Sequence, residues 1–141
     1  MKKRIIRIGI VVIFIIIISV SVIYINTFPL AKPIKLPLAN EVNVVEIDKD
    51  NLLVKYTNNE EITEILNILS GAKPTRIMTV HDRPMVRDYY TLNLNTMSED
   101  WVYRIFIYNK NSMWYIEQPY IGVYELKKGL VDFLSYIEPL K

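Results

Sequence analysis

Three runs decide the fold class: Tyr90-Thr91-Leu92-Asn93-Leu94-Asn95, then Trp101 to Tyr108, then Met113 to Glu117. Tyr90, Leu92 and Leu94 alternate with Thr91, Asn93 and Asn95, and a period of two assigns one set to each face of a half-buried strand. Trp101 to Tyr108 is apolar on both parities, which predicts a central strand covered on both faces. Thr96 to Asp100 and Asn109 to Ser112 are polar turns between the runs, and Gly122 marks another before a short strand from Val123 to Glu125.

Upstream, Val42, Val44 and Glu46 alternate with Asn43, Val45 and Ile47, Asp48 to Asn51 form a polar turn, and Leu52 to Tyr56 read as the return strand of a hairpin. Thr57 to Asn59 supply capping groups and Glu60 and Glu61 suit a helical first turn. Ile62, Ile65, Leu66 and Leu69 follow at helical spacing and Gly71 stands at the stop. Lys73 to Arg87 is a polar, proline-punctuated connection. Downstream, Leu126, Leu130, Phe133, Leu134 and Ile137 share one helical face opposite Lys127, Lys128 and Asp132. The expected fold is α+β: a small antiparallel β-sheet domain with two helices, in the order ββα-βββ-β-α, behind an N-terminal transmembrane helix.

That first helix follows from Ile8 to Ile25, eighteen residues without a charge, nine of them isoleucine. At ~1.5 Å per residue they form a helix of about 27 Å, close to the ~30 Å hydrocarbon thickness. Fourteen of these positions are Ile, Val or Phe, and such side chains favour insertion by roughly 4–8 kcal/mol in sum. Lys2, Lys3, Arg4 and Arg7 precede the run, so the positive-inside rule places the N-terminus in the cytoplasm and the rest outside. The competing reading is a signal peptide cleaved near Ser19 and Ser21, giving a secreted protein, but cleavage there leaves Val22 to Ile25 as a greasy terminus and the run exceeds a usual signal h-region. The expected organisation is a basic stub and anchor over residues 1–27, a tether over 28–40 carrying Pro29, Pro33 and Pro37, and an extracytoplasmic α+β domain over 41–141.

The 141 residues carry a net charge of +2. Four of the 17 basic residues precede the apolar run, leaving 13 against 15 acidic ones. No basic footprint for nucleic acid remains. The absence of cysteine excludes disulfides and thiolate metal sites.

Candidate chemistry is sparse. The single histidine, His81, adjoins Asp82 with Arg83 and Arg87 nearby, and a hydrolase would need Ser70, Ser98 or Ser112 beside it, none of which lies in a nucleophile turn. Asp48, Asp50 and Asn51 fail the calcium-loop pattern, because Leu52 and Leu53 occupy its fifth and sixth positions. Glu60, Glu61 and Glu64 read as a solvated helix face. No catalytic residue, metal site or cofactor is expected. Aromatic density is the exception, and Trp101, Tyr103, Tyr108, Trp114, Tyr115, Tyr120 and Tyr124 form the candidate recognition surface.

The string Trp114-Tyr115-Ile116-Glu117-Gln118-Pro119-Tyr120-Ile121-Gly122-Val123-Tyr124, with a helix ending near Ser70-Gly71-Ala72-Lys73, resembles a family of small proteins of unknown function from low-GC Gram-positive bacteria. The resemblance spans Val42 to Tyr136. It implies an N-terminal hydrophobic anchor or signal and a compact α+β domain, and brings no catalytic residues. The residues themselves read as structural punctuation: Pro119 ends a strand, and Tyr120 and Tyr124 flank a turn at Gly122.

The functional expectation is a non-enzymatic, membrane-tethered extracytoplasmic recognition domain, immunity-like or accessory to an envelope complex. Its partners are the bilayer, through residues 8–25, and a protein, peptide or glycan outside the cell. The alternatives are an envelope hydrolase using His81 and a structural or sensory homo-oligomeric domain.

Overall fold

The computed structural model describes residues 2–79, 81–97, 102–126 and 136. The chain divides into two compact units, Met1–Leu30 and Ala31–Lys141.

The first unit is helix α1, Lys2–Thr27. Its stretch Ile6–Thr27 is long and apolar enough to cross a membrane. The hydroxyls of Ser19 and Ser21 donate to the carbonyls of Ile15 and Ile17 one turn back, at 2.9 and 2.8 Å. These hydroxyls are thereby satisfied within the helix.

The second unit is built on strands β1 (Val42–Lys49), β2 (Leu52–Tyr56), β3 (Lys73–Pro74), β4 (Tyr90–Thr96), β5 (Val102–Lys110), β6 (Met113–Gln118) and β7 (Gly122–Glu125), with helix α2 (Asn59–Ser70) between β2 and β3. They form a seven-stranded sheet in the order β2-β1-β4-β5-β6-β7-β3, antiparallel at every pairing. Asp50 and Asn51 close the β1–β2 hairpin and Asn111 and Ser112 the β5–β6 hairpin, both pairs with positive φ. Two-residue loops of that geometry match the twist of the strands they join. Helix α2 is capped where expected, with the Asn58 side chain accepting from the Glu60 N–H at 2.8 Å. Of the expected C-terminal helix only Leu126 and Tyr136 are among the described residues; Leu126 is not helical and is buried.

The sheet carries apolar residues on both faces; one is covered by α2 and the other in part by the β3–β4 connection. On one face Val45, Ile47, Leu92, Leu94, Ile105, Ile107 and Ile116 meet Ile62, Ile65, Leu66 and Leu69 of α2. Helix α2 carries the chain from the β2 edge to the β3 edge across this face. On the other face Tyr108, Tyr115 and Val123 form a smaller cluster with Val86 and Tyr89. The connection between β3 and β4 supplies the cover there: it must return from the sheet edge to its middle, and it does so across the face α2 leaves open.

Residues 31–40, most of the expected 28–40 tether, belong to this unit. Ala31, Ile34, Leu36 and Ala39 pack on the α2-side core. The Ala31 N–H donates to the Thr75 carbonyl at 2.8 Å. Gln118, buried at the end of β6, accepts from the Lys35 N–H at 2.9 Å and donates to the Lys35 carbonyl at 2.8 Å. The Tyr124 hydroxyl donates to the Lys32 carbonyl at 2.6 Å. Prolines at positions 33 and 37 keep the segment extended, and an extended strap with apolar side chains packs on a core as readily as it spans solvent. A β-carbon at Gly122 would lie 2.5 Å from the Ala31 β-carbon, so the strap requires glycine there.

Tyr120 is the strained residue of this region. The Ile121 N–H bonds to the Gln118 carbonyl at 3.0 Å, closing a turn with Pro119 second and Tyr120, at φ 61°, third. Glycine is the usual third residue, because a β-carbon is crowded there.

Gly122→Ala will destabilise the unit by about 1–3 kcal/mol through overpacking against Ala31, measured by urea unfolding. Tyr120→Gly will stabilise it by roughly 1 kcal/mol by relieving the left-handed conformation. Burial, and then the neighbouring Glu117 carboxylate, push the Tyr108 phenol above its ordinary value near 10. A phenol whose folded value is raised contributes stability fully present below pH ~10 and lost as pH climbs above it. Stability will therefore fall on the alkaline side of pH 10, and tyrosinate absorbance will show Tyr108 ionising together with unfolding; Tyr108→Phe will flatten that slope.

Candidate functional site

The aromatic residues singled out from the sequence do not assemble into one exposed surface. Tyr108, Tyr115 and Tyr124 are buried, at 6%, 8% and 1% exposure. Tyr103 and Trp114 are half-buried against the α2-side core. Trp101 lies outside the described residues. Tyr120 is 65% exposed. Tyr108 and Tyr115 are covered because Val86 and Tyr89 of the β3–β4 connection pack on them. Tyr120 and Tyr124 also part company: the Tyr124 phenol turns to the strap, and the Tyr120 phenol donates to Asp82 Oδ1 at 2.8 Å.

The covering loop is pinned along its length. Thr79 donates to Glu117 Oε1 at 2.6 Å and Tyr108 donates to Oε2 at 3.1 Å, so the buried Glu117 carboxylate is held by two hydroxyls. Lys49 Nζ sits 2.9 Å from Asp88 Oδ1 and 4.5 Å from the centre of the Tyr90 ring. The Asp88 contact, against the opposing effect of burial, raises the Lys49 ammonium above its ordinary value. Tyr89 meets Phe106 edge-on at 5.3 Å.

Between this loop, the β1–β2 hairpin tip and the sheet lies a groove of about 570 Å³. Strand alternation and register build its floor: Asp48 opposes Thr91, Thr91 opposes Phe106, and Asn93 opposes Arg104, all on the face away from α2. The hairpin adds Asp50 and Asn51, and the loop adds Arg83, Arg87 and Tyr89. Arg104 Nε donates to Asn93 Oδ1 at 3.2 Å, which orients that guanidinium. Just beyond the floor Lys55 Nζ and Glu46 Oε1 are 2.6 Å apart, and this contact holds the Glu46 carboxyl below its usual range although burial opposes it. The volume falls within the span of small-molecule sites, while the lining is polar, which favours a charged ligand over an apolar one.

The hydrolase expectation finds no assembled geometry. His81 is exposed and does not line the groove. Ser70 Oγ donates to the Asn67 carbonyl on α2, Ser112 sits in the β5–β6 turn, and Ser98 lies outside the described residues. Among the described residues no three histidine, aspartate or glutamate side chains come together as a metal site. Sequence reasoning passed over Asp48 and Asp50 as turn residues and Arg83 and Arg87 as neighbours of the histidine. One signal was available: Arg104 is the lone charge in the otherwise apolar run from Trp101 to Tyr108.

No curated protein matches the chain. A protein from Ruminococcus gnavus, solved by NMR, is 30% identical with a TM-score of 0.60, over 70% of this chain and 96% of that one. A family model described as a domain of unknown function (DUF5300) matches residues 30–125, a span that starts where the strap starts and ends with β7. The chain belongs to this family, DUF5301.

Proposed function

We propose that the chain is a membrane-tethered, extracytoplasmic and non-enzymatic recognition domain that takes its ligand in the groove between the β3–β4 loop and the sheet. The observation that carries this reading is the set of arginines lining the groove. Among the described residues, neither Arg83 nor Arg87 makes an ion pair, and Arg104 is oriented by an amide rather than a carboxylate. Guanidinium groups lining one groove present forked donors that suit a carboxylate or phosphate. The apolar span Ile6–Thr27 supports the tether, and the basic residues preceding it support an N-terminus inside the cell with the domain outside. A strap bonded at Ala31, Lys32 and Lys35 suits such a tether, since it starts the packed domain immediately after the first unit.

Two measurements test this. External protease added to cells freed of wall will degrade the domain while leaving cytoplasmic markers intact; a protected domain contradicts the orientation. A photo-crosslinking side chain at Thr91, inside the groove, will form an adduct on whole cells that the Arg83→Ala/Arg87→Ala double variant loses. The same group at Thr63 on α2 will form none. Identical adducts at both positions, or adducts indifferent to the arginines, contradict the groove as the site.

A further inference from the structure

The groove is lined by charges of both signs, set at different places along its wall. Arg83, Arg87 and Arg104 line it, and so do Asp48 and Asp50. The ion pairs Lys49–Asp88 and Lys55–Glu46 involve none of these five side chains. A site for a simple anion gains nothing from two carboxylates in its wall, which repel the ligand. A site for a simple cation gains nothing from three guanidinium groups. Both sets together complement a molecule that carries both charges.

The sheet sets the spacing. Asp48 opposes Thr91, Thr91 opposes Phe106, and Arg104 lies two residues along β5 from Phe106. With ~4.8 Å between strands and ~3.4 Å per residue along them, the backbones of Asp48 and Arg104 lie about 12 Å apart. An extended peptide advances ~3.5 Å per residue, so two or three residues span roughly 7–11 Å and fit between the two ends.

We propose that the groove binds a small zwitterion, an inference that rests on the recognition reading above. Its carboxylate or phosphate meets Arg104, with Arg83 and Arg87 contributed by the loop, and its ammonium meets Asp48 and Asp50 at the hairpin tip. Tyr89, packed edge to face on the buried Phe106, offers an apolar face to the body of the ligand. A short peptide with free termini and an aminoalkyl phosphate share this chemistry.

The test uses the full chain, isotope-labelled, in uncharged maltoside micelles, with amide shifts followed during titration. The probes are trialanine, phosphoethanolamine, N-acetyl-trialanine and trialanine amide. At least one of the two zwitterions will produce saturable shifts over residues 48–51 and 83–89, and the tighter one identifies the anionic group. Capping either end of trialanine will weaken any binding it shows at least fivefold. Asp48→Asn and Arg104→Gln will each weaken the tighter zwitterion at least fivefold, with amides remote from the groove unmoved as evidence of an intact fold. Equal binding of the N-acetylated peptide and trialanine makes this a plain anion site and overturns the proposal, as does the absence of saturable shifts with either zwitterion. If the groove crosslinks on cells while neither zwitterion binds, the recognition reading survives and the ligand class alone falls.

Discussion

Two adjacent side chains of β6 hold the domain's two coverings in place. Gln118 points to the α2 side and clamps both backbone groups of Lys35 in the strap. Glu117 points to the opposite side and accepts hydroxyls from Thr79 in the crossing loop and from Tyr108 beneath it. Both are buried polar groups, at 6% and 4% exposure for Glu117 and Gln118. Such groups are costly unless bonded, so each is a strong constraint on where its covering segment can run. The rest of the architecture follows from satisfying them.

This arrangement explains the density of unusual residues between Trp114 and Tyr124. Glycine at 122 admits the strap against Ala31, and Tyr124 bonds the strap at Lys32. Pro119 turns the chain. Tyr120 takes a backbone conformation that tyrosine disfavours and ties the loop through Asp82. A run that reads as punctuation of one hairpin is also the anchoring site for two distant segments, one on each face.

The groove is a by-product of the same economy. Covering the second face with a loop rather than a helix leaves the sheet's β1–β4 side open, because the loop must descend into β4 beside the β1–β2 hairpin. The open part keeps the polar half of each alternating strand: Asp48, Thr91, Asn93 and Arg104. The pinned loop then hangs Arg83 and Arg87 over that floor. Asp48 and Arg104 start from sheet backbone whose separation the strand register sets.

Local information determined much of this protein. The apolar run from Ile8 to Ile25, the hairpin at Asp50 and Asn51, the cap at Asn58, the helix through Leu69 and the strands from Tyr90 onward all depend on neighbours within a few residues, and their periodicities state them directly. The placement of the strap, the two-residue strand β3 and the covering of the second sheet face depended on pairs such as Lys35 with Gln118 and Thr79 with Glu117, separated by 83 and 38 residues. No local period encodes such pairs. Tertiary packing alone therefore decided that Tyr108, Tyr115 and Tyr124 are core, and that scattered arginines and aspartates line one groove.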